Sequence, residues 1–295
     1  MSAVLSETDH VHEETRRVTE PWQVQLYRRS LKKRLTVQAL LDHLPPVQGR
    51  RCLELGCATG ITSYFLRQKG GTWTHADFET EHVASAKQLL GPQADVRHVP
   101  EDKVPFEDAA FDVVVAINFL EHLHADVDYV REMVRVLKPG GDFLITAPTG
   151  ETRRPAWVLK RALGFTAENH GFGHARNGYP PAVMRQLLRD QGLEVQGVDT
   201  YSRFFTETLE DVLNFGYHKK ATKGKPKEEQ DFHGTTSPMS GEALHKVGLA
   251  YRAYSAVYPA LKLWTQLDRV IKPVSPGYML AMWARKPAAT ASSAA

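Results

Sequence analysis

The feature that most constrains the fold of this chain is a regular alternation of apolar, strand-like runs with helix-like stretches between residues 51 and 148. Such alternation predicts a parallel sheet covered by helices on both faces. The run Val113-Val114-Val115 fits a central strand, because that strand would be buried on both faces. The predicted strands occupy residues 51–55, 72–77, 95–99, 111–117 and 142–147. We therefore predict an α/β fold with a Rossmann-like, mostly parallel sheet.

Beyond residue 148 the pattern predicts two further strands, 194–205 and 278–286, which bring the sheet to seven strands. Roughly 70 residues separate them, whereas an ordinary connection has about two to six, so we predict a helical insertion before the last strand. A basic helix over 25–44 precedes the sheet. The predicted divisions are an amino-terminal tail and helix (1–45), a ligand-binding domain (46–205), the insertion (206–276), the last strand (277–287) and a disordered tail (288–295).

Charge and cysteine content narrow the classes of partner and compartment. A net charge of +3 creates no strong field for nucleic acid or an anionic membrane. The lysine-rich run at 219–227 is followed directly by acidic residues, which is typical of a solvated loop rather than a phosphate-binding one. The two cysteines, Cys52 and Cys57, cannot form a disulfide framework. With no signal sequence and no apolar run near the roughly 18 residues of a membrane span, we expect a cytoplasmic protein. The sequence does not indicate its oligomeric state.

A glycine-containing turn joins the first predicted strand to the helix that follows it. The segment Leu-Glu-Leu-Gly-Cys-Ala-Thr-Gly spans residues 53–60, and its glycines let the backbone turn sharply and approach a ligand closely. Asp77 ends the second strand, where dinucleotide-binding units place an acid that binds ribose hydroxyls. The spacing G-x-x-x-G between Gly56 and Gly60 fits poorly with the G-x-G-x-x-G of nicotinamide-binding proteins. A nicotinamide oxidoreductase is therefore disfavoured.

The turn resembles the first motif of the class I S-adenosylmethionine-dependent methyltransferases, which usually reads acidic-x-G-x-G-x-G, with Glu54 as the acid and Ala58 in the place of the middle glycine. Three later segments resemble the same family in the same order. They are Val-Pro-Phe-Glu-Asp-Ala-Ala-Phe-Asp at 104–112, Asn-Phe-Leu-Glu-His-Leu at 118–123 and Leu-Lys-Pro-Gly-Gly at 137–141. The resemblance covers residues 35–148 and implies that S-adenosylmethionine is the cofactor of the 46–205 domain.

The resemblance also implies where the donor binds. The backbone of residues 56–60 would line the methionine moiety, Glu54 would lie near its ammonium group, and Asp77 would accept hydrogen bonds from both ribose hydroxyls. We expect Ala58 to keep an ordinary backbone conformation. The acid that contacts adenine in the family aligns near Pro100, which leaves that role to Glu101 or Asp102. The candidate donor-binding residues are Glu54, Gly56, Cys57, Ala58, Gly60, Asp77, Phe78, Glu101, Asp102 and Asn118.

Three histidines are candidates for acceptor chemistry. His122 follows the fourth strand at the edge where α/β folds bind ligands, and it could be a site residue or a local hydrogen-bonding group. His170 and His174 lie in a long loop rich in polar groups, which could grip the acceptor, supply a base or be purely structural. Their spacing matches a helical metal-ligand pair, but the glycines at 171 and 173 disfavour a rigid helix. We therefore predict no metal site.

The insertion carries an aromatic stripe of helical spacing, Tyr251, Tyr254, Tyr258 and Leu261. These rings could cap an acceptor pocket or simply pack the insertion onto the sheet, and few basic residues accompany them, which disfavours a membrane-surface role. The function that fits best is transfer of a methyl group from S-adenosylmethionine to a small or lipophilic acceptor. The alternative is a non-catalytic subunit or sensor that binds S-adenosylmethionine without turnover.

Overall fold

The computed structural model describes residues 21–150, 155–156, 158, 175–210 and 248–288. Its strands are β1 (Arg51–Leu55), β2 (Thr72–Asp77), β3 (Asp95–His98), β4 (Phe111–Ile117), β5 (Leu137–Pro148), β6 (Glu194–Tyr201) and β7 (Met279–Arg285). They form one seven-stranded sheet in the order β3-β2-β1-β4-β5-β7-β6. Paired strands are parallel from β3 to β5, whereas β7 is antiparallel to both β5 and β6. The predicted seven-stranded, mostly parallel sheet is confirmed.

Helices cover both faces of this sheet. They are α1 (Trp22–Arg28), α2 (Leu31–His43), α3 (Ile61–Arg67), α4 (Thr80–Leu90), α5 (Asp126–Val136), α6 (Pro181–Asp190) and α7 (Gly248–Gln266), with 3-10 turns at Leu120–His122 and Leu267–Arg269. None of the helices in the described residues combines the length and apolar character that crossing a bilayer requires. The helices α1 to α4 precede or connect the first strands, and α7 belongs to the connection between β6 and β7.

The central strand β4 divides the core into two layers. Val115 points to the face that Leu40 of α2 covers, and Val114 points to the face that Met133 of α5 covers. All four side chains are fully buried. This alternation is the reason why β4 reads as a continuous apolar run rather than as an alternating one, because both of its faces are removed from water.

Local boundaries differ from the sequence prediction. The strand predicted over 142–147 is β5, which begins at Leu137. Two further differences have a common cause. The helix predicted over 25–44 is two helices, because the Ser30 hydroxyl accepts a hydrogen bond from Lys33 N (3.2 Å) and so caps a new helix at that point. The strand predicted over 194–205 ends at Tyr201, because Ser202 adopts a φ of 55° and residues 204–210 are helical. Both errors arise from short polar residues that end an element inside an otherwise continuous pattern.

The carboxyl ends of the parallel strands lie along one edge of the sheet, which we call the carboxyl edge. β6 ends there at Tyr201, and the antiparallel β7 begins there at Met279, because these residues are paired. The whole connection between β6 and β7, which includes the predicted insertion, therefore leaves and re-enters the sheet at this edge. Open α/β sheets bind their ligands at the carboxyl edge.

Candidate functional site

The turn between β1 and α3 is built on left-handed backbone. Gly56 and Gly60 have φ values of 83° and 84°. A Cβ atom at Gly56 would lie 2.5 Å from the carbonyl oxygen of Ile117, and one at Gly60 would lie 2.9 Å from the Cα of Ala86. Both positions therefore require glycine for backbone conformation and for space. The turn is packed directly against the end of β4 and the middle of α4.

Ala58, between these glycines, does not have the ordinary backbone conformation expected of it. Its φ is 46°, in the left-handed region, so that expectation is wrong. The conformation is held by a hydrogen bond from Ala58 N to Asp77 Oδ2 (2.8 Å). A charge-assisted hydrogen bond of this kind can offset the roughly 1 to 2 kcal/mol that the left-handed conformation costs a residue with a Cβ.

Asp77, at the end of β2, is almost completely buried, with 3% of its surface exposed. Its Oδ1 accepts from Glu79 N (3.1 Å) and is bonded to His82 Nδ1 (3.1 Å), in addition to the Ala58 bond on Oδ2. A carboxylate has about four acceptor positions, so about one remains for a further donor. Burial lowers the pKa of His82, but the hydrogen bond and charge of Asp77 raise it more, and the net pKa lies above its ordinary value.

Glu54, on β1, is fully buried and belongs to a network with α3 and β2. Its Oε2 accepts from Ser63 Oγ (2.6 Å) and is hydrogen-bonded to His75 Nδ1. Glu54 and His75 are direct partners in the parallel register of β1 and β2, so their side chains lie on the same face of the sheet. Glu54 Oε1 has no hydrogen-bond partner among the described residues. A buried, unpartnered carboxylate oxygen is costly unless a donor reaches it.

The other candidate donor residues occupy different positions along the same edge. Cys57 is buried, and burial raises the pKa of its thiol, so it is not a reactive nucleophile. Asn118 has a φ of 46° and its Oδ1 accepts from Thr146 Oγ1 (2.9 Å). Glu101 and Asp102 are both exposed, in the segment that follows β3.

Aromatic rings lie beside the polar side chains at the carboxyl edge. The ring of Phe78, which follows Asp77, is half-buried and lies 5.4 Å from Phe119 and 6.2 Å from His122, measured between centroids. Phe119 also contacts the ring of Tyr129, and both of these are buried. Burial and the charges of nearby acids, Asp77 first, raise the pKa of Tyr129. His122 is therefore placed at the carboxyl edge, as predicted, against an apolar wall.

Glu121, beside His122, was not singled out by the sequence. It is 2% exposed, and burial raises the pKa of its carboxyl to about 8, an effect that its own backbone N–H and the charge of Lys32 only partly oppose. Its Oε2 has no hydrogen-bond partner among the described residues. Near neutral pH this side chain is therefore mostly protonated, at the edge where ligands of this fold bind.

The described end of the long loop after β5 docks onto the same region. Ala175 N donates to the carbonyl oxygen of Glu121 (2.8 Å), and the Tyr179 hydroxyl lies 2.8 Å from Asp126 Oδ2. Arg176 forms an ion pair with the other oxygen of Asp126 (2.8 Å). His170 and His174 precede this anchored end and lie outside the described residues, so their placement stays a prediction.

The aromatic stripe of the insertion packs against the amino-terminal helices. The Tyr254 hydroxyl donates to the carbonyl oxygen of Arg29, between α1 and α2, and the Tyr258 side chain is buried. The two rings are 5.9 Å apart. For these two residues the packing alternative is favoured over a pocket wall. The side chain of Tyr251 lies outside the described residues.

A family model described as "Methyltransferase domain" matches residues 53–145. A protein from Mycolicibacterium smegmatis named "probable S-adenosylmethionine-dependent methyltransferase" is 35% identical over 164 residues, which is 56% of this chain and 59% of that one. The matched segment contains the glycine turn, Asp77 and the end of β4. Residues 53–145 therefore carry a methyltransferase domain.

Other relatives of this methyltransferase domain have more specific names. A ubiquinone biosynthesis O-methyltransferase from Paracidovorax citrulli is 34% identical, covering 34% of this chain and 44% of that one. A demethylmenaquinone methyltransferase from Beutenbergia cavernae is 33% identical, covering 44% and 52%. The chain spans about half the length of these curated relatives. Among solved structures, the cyclase SpnF shares the fold with a TM-score of 0.53 at 19% identity, covering 86% of this chain and 80% of that one.

The cofactor of this family is S-adenosylmethionine, and the methyltransferase domain fits it. A narrow turn that a Cβ would fill, an unpartnered oxygen on buried Glu54 and a spare acceptor position on Asp77 match a ligand with an ammonium group and a ribose. Sequence reasoning missed Ser63, His75 and His82, which hold the two carboxylates. The signal for His75 was present, because equal offsets from the starts of two parallel strands place it beside Glu54.

Proposed function

We propose that this protein is an enzyme that transfers the methyl group of S-adenosylmethionine to a small, lipophilic acceptor. The observation that carries the proposal is the convergence, at one edge of the sheet, of the glycine turn with the buried carboxylates Glu54 and Asp77. The family match covers this part of the chain. The two carboxylates are held by the protein before any ligand arrives, which reduces the entropy lost on binding.

For the donor, we propose that Glu54 Oε1 receives the ammonium group, directly or through water, while Ser63 and His75 hold Oε2. Asp77 would accept a ribose hydroxyl with its remaining acceptor position. A second ribose bond would require His82 to give up its bond to Oδ1, since that oxygen already accepts from Glu79 N. The exposed pair Glu101 and Asp102 would serve the adenosine end.

When bound, S-adenosylmethionine would supply an activated methyl group. The lone pair of the acceptor would form the new bond to the methyl carbon, and the electron pair of the broken C–S bond would stay on sulfur and neutralise the sulfonium. The task of the protein is to hold the acceptor in line, to exclude water and, if the acceptor is a hydroxyl, to receive its proton. Orientation alone can supply about 7 to 11 kcal/mol. His122, His170 and His174 are the proposed groups for holding the acceptor or moving that proton.

Two observations support a lipophilic acceptor. The rings of Phe78 and Phe119 form an apolar group beside His122 at the carboxyl edge, next to the proposed donor site. Relatives of the domain are named for ubiquinone and demethylmenaquinone, whose rings carry apolar chains. The insertion, residues 206–276, would cover this side of the edge, because it leaves and returns there. A pocket of aromatic walls with few polar groups is typical of small-molecule sites.

The proposal is tested by measuring release of S-adenosylhomocysteine from S-adenosylmethionine with alternative acceptors. A phenolic quinone-ring analogue with a short isoprenoid chain should support turnover, whereas a polar amine of similar size should not. Turnover with the amine alone would reject the lipophilic acceptor. Binding of S-adenosylhomocysteine without turnover on any acceptor would instead favour the non-catalytic alternative.

A further inference from the structure

One surface of the described chain is unusually apolar. Of the ten large hydrophobic side chains that are exposed in the described residues, six lie between Val257 and Val274. The three most exposed are Val274 at 83%, Val270 at 76% and Leu263 at 72%. Single exposed apolar side chains are common and need no explanation, but a concentrated group marks an interaction site.

Four of these side chains share one face. Leu263, Leu267, Val270 and Val274 follow each other at steps of four, three and four along the end of α7, the 3-10 turn and the turns after it. The backbone stays helical in character there, since Ile271 N donates to Leu267 O (3.4 Å) and Val274 N to Ile271 O (3.0 Å). Steps of three and four place residues on the same side. We call Leu263, Trp264, Leu267, Val270 and Val274 the apolar face.

Most of the charges around the apolar face are positive. Lys262, Arg269 and Lys272 are exposed beside it. Between residues 254 and 276 the only acidic residue is Asp268, and its buried carboxylate accepts from the backbone N–H groups of residues 203, 205 and 206. The acid that faces the cations from β6 is Asp199, which is already paired with Lys272 (3.0 Å). The rim of the face is therefore cationic.

We propose that the apolar face docks onto an anionic lipid surface. The apolar side chains would enter the boundary between headgroups and acyl chains, and the lysines and the arginine would contact the anionic headgroups. Trp264, half exposed and held at its inner edge by Phe205 (5.0 Å between centroids), has the amphipathic ring that favours that boundary. In the sequence, the few basic residues near the aromatic stripe at 251–261 disfavoured a membrane-surface role. The cations Lys262, Arg269 and Lys272 lie farther along the chain.

A second copy of the chain fits the apolar face less well. A two-fold interface brings each surface patch against its own copy, so the cationic rims of the two subunits would be brought together. An anionic lipid surface instead supplies the opposite charge. The face lies on the connection that leaves and re-enters the sheet at the carboxyl edge. The docking proposal does not depend on the proposed function.

The test is sedimentation of the full chain with phosphatidylcholine vesicles that contain or lack phosphatidylglycerol. Binding should require phosphatidylglycerol and weaken at high salt. The triple variant Leu263→Gln, Val270→Gln, Val274→Gln should bind at least about tenfold more weakly. The pair Lys262→Gln, Arg269→Gln should lose about fivefold for each cation removed. The matched control, Val127→Gln with Val183→Gln, removes exposed apolar side chains elsewhere and should bind normally.

Two further measurements keep the outcomes separate. The blue shift of tryptophan emission on vesicles should disappear in Trp264→Phe, which places the contact at the apolar face. Light scattering should give the wild type and the triple variant the same oligomeric state; a smaller assembly in the variant would overturn the proposal in favour of a subunit interface. Equal vesicle binding by wild type and triple variant would also overturn it. Calorimetry with S-adenosylhomocysteine tests the proposed function independently, because a protein that failed to bind this ligand would still bind vesicles.

Discussion

The proposed donor side and the proposed acceptor side of the carboxyl edge are built in different ways. The donor side is made from short segments near the ends of β1 and β2, where the backbone of Gly56 and Gly60 and the carboxylate of Asp77 define the geometry. The acceptor side is assembled from distant parts, such as the Glu121 region after β4 and the loop end at Tyr179. A local site can hold one ligand across a family, whereas an assembled site can change with each substrate.

Each proposed side contains a buried carboxyl group with one oxygen that has no partner among the described residues, Glu54 Oε1 on the donor side and Glu121 Oε2 on the acceptor side. On the donor side, both oxygens of Asp77 and the other oxygen of Glu54 accept hydrogen bonds. On the acceptor side, burial raises the pKa of the Glu121 carboxyl to about 8. Functional sites tend to concentrate groups with such perturbed pKa values.

The largest expected effect concerns the acceptor side alone. His170→Ala or His174→Ala should lower turnover by up to about 100-fold to 10,000-fold if the residue acts as a general base. Donor affinity should stay the same, because both residues lie outside the donor motifs. The assay is S-adenosylhomocysteine release combined with calorimetry, and His124→Ala, at an exposed position, is the control. Intact turnover in both variants would make the loop structural, and weaker donor binding would break the distinction between the two sides.

The second prediction concerns the buried carboxyl of Glu121. Its pKa in the folded protein is raised from 4.5 to about 8, so the stability associated with its protonated form is fully present below pH 4.5 and is lost as the pH rises through about 8. Glu121→Gln should therefore gain stability relative to wild type with rising pH, by on the order of 4 kcal/mol above pH 8. Denaturant unfolding across this range is the measurement, with the exposed Glu107→Gln as control. A difference independent of pH would contradict the assignment.

The third prediction compares two glycines with similar backbone. Gly56→Ala should lose about 3 kcal/mol of unfolding free energy, and donor affinity with it, because strain adds to a clash with the carbonyl of Ile117. Gly192→Ala should lose only about 1 kcal/mol, because Gly192 has a φ of 80° but no atom within 4 Å of its added Cβ. Thermal unfolding and calorimetry measure both. Equal losses would show that backbone strain, rather than space, governs the turn.

The smallest expected effect tests the support of Glu54. Ser63→Ala removes the 2.6 Å hydrogen bond to Oε2 and should cost about 1 kcal/mol of stability. Donor affinity should fall by less than about 1 kcal/mol, because His75 still holds the same oxygen. Thr62→Ala, on the same helix, is the control. A loss of donor binding as large as that of an Asp77 variant would place Ser63 in direct contact with the ligand.

The sequence predicted the glycine turn and the place of Asp77 at the end of β2 because the determinants of both are local. Gly56, Gly60 and Asp77 are recognisable from their places at the ends of two strands, and the resemblance extended this to the later motifs. The left-handed conformation of Ala58 was missed, because it depends on the hydrogen bond that Ala58 N donates to Asp77, which lies 19 residues away. His75 was missed for a similar reason: its contact with Glu54 requires the register of two strands.

The sequence predicted less of the acceptor side because its residues meet only through tertiary packing. The surroundings of Glu121 include Ala175, whose N–H donates to its carbonyl oxygen, and the charge of Lys32 in α2, neither of which is near it in the chain. The predicted strand 194–205 continued past Ser202, since its apolar pattern extends into the helical residues that Asp268 caps. Alternation of apolar residues identifies strands, but it does not show where a distant carboxylate ends one.

The central claim, that the carboxyl edge at β1 and β2 is the donor site, is tested most directly by titration calorimetry of S-adenosylhomocysteine binding to wild type and Asp77→Asn. Thermal unfolding would confirm that the variant is folded, because Asp77 also bonds to Ala58 and His82. The account predicts that the variant binds the ligand more weakly by about 1.5 to 3 kcal/mol, the range for a hydrogen bond to a charged group. A folded Asp77→Asn protein that binds S-adenosylhomocysteine as tightly as wild type would contradict it.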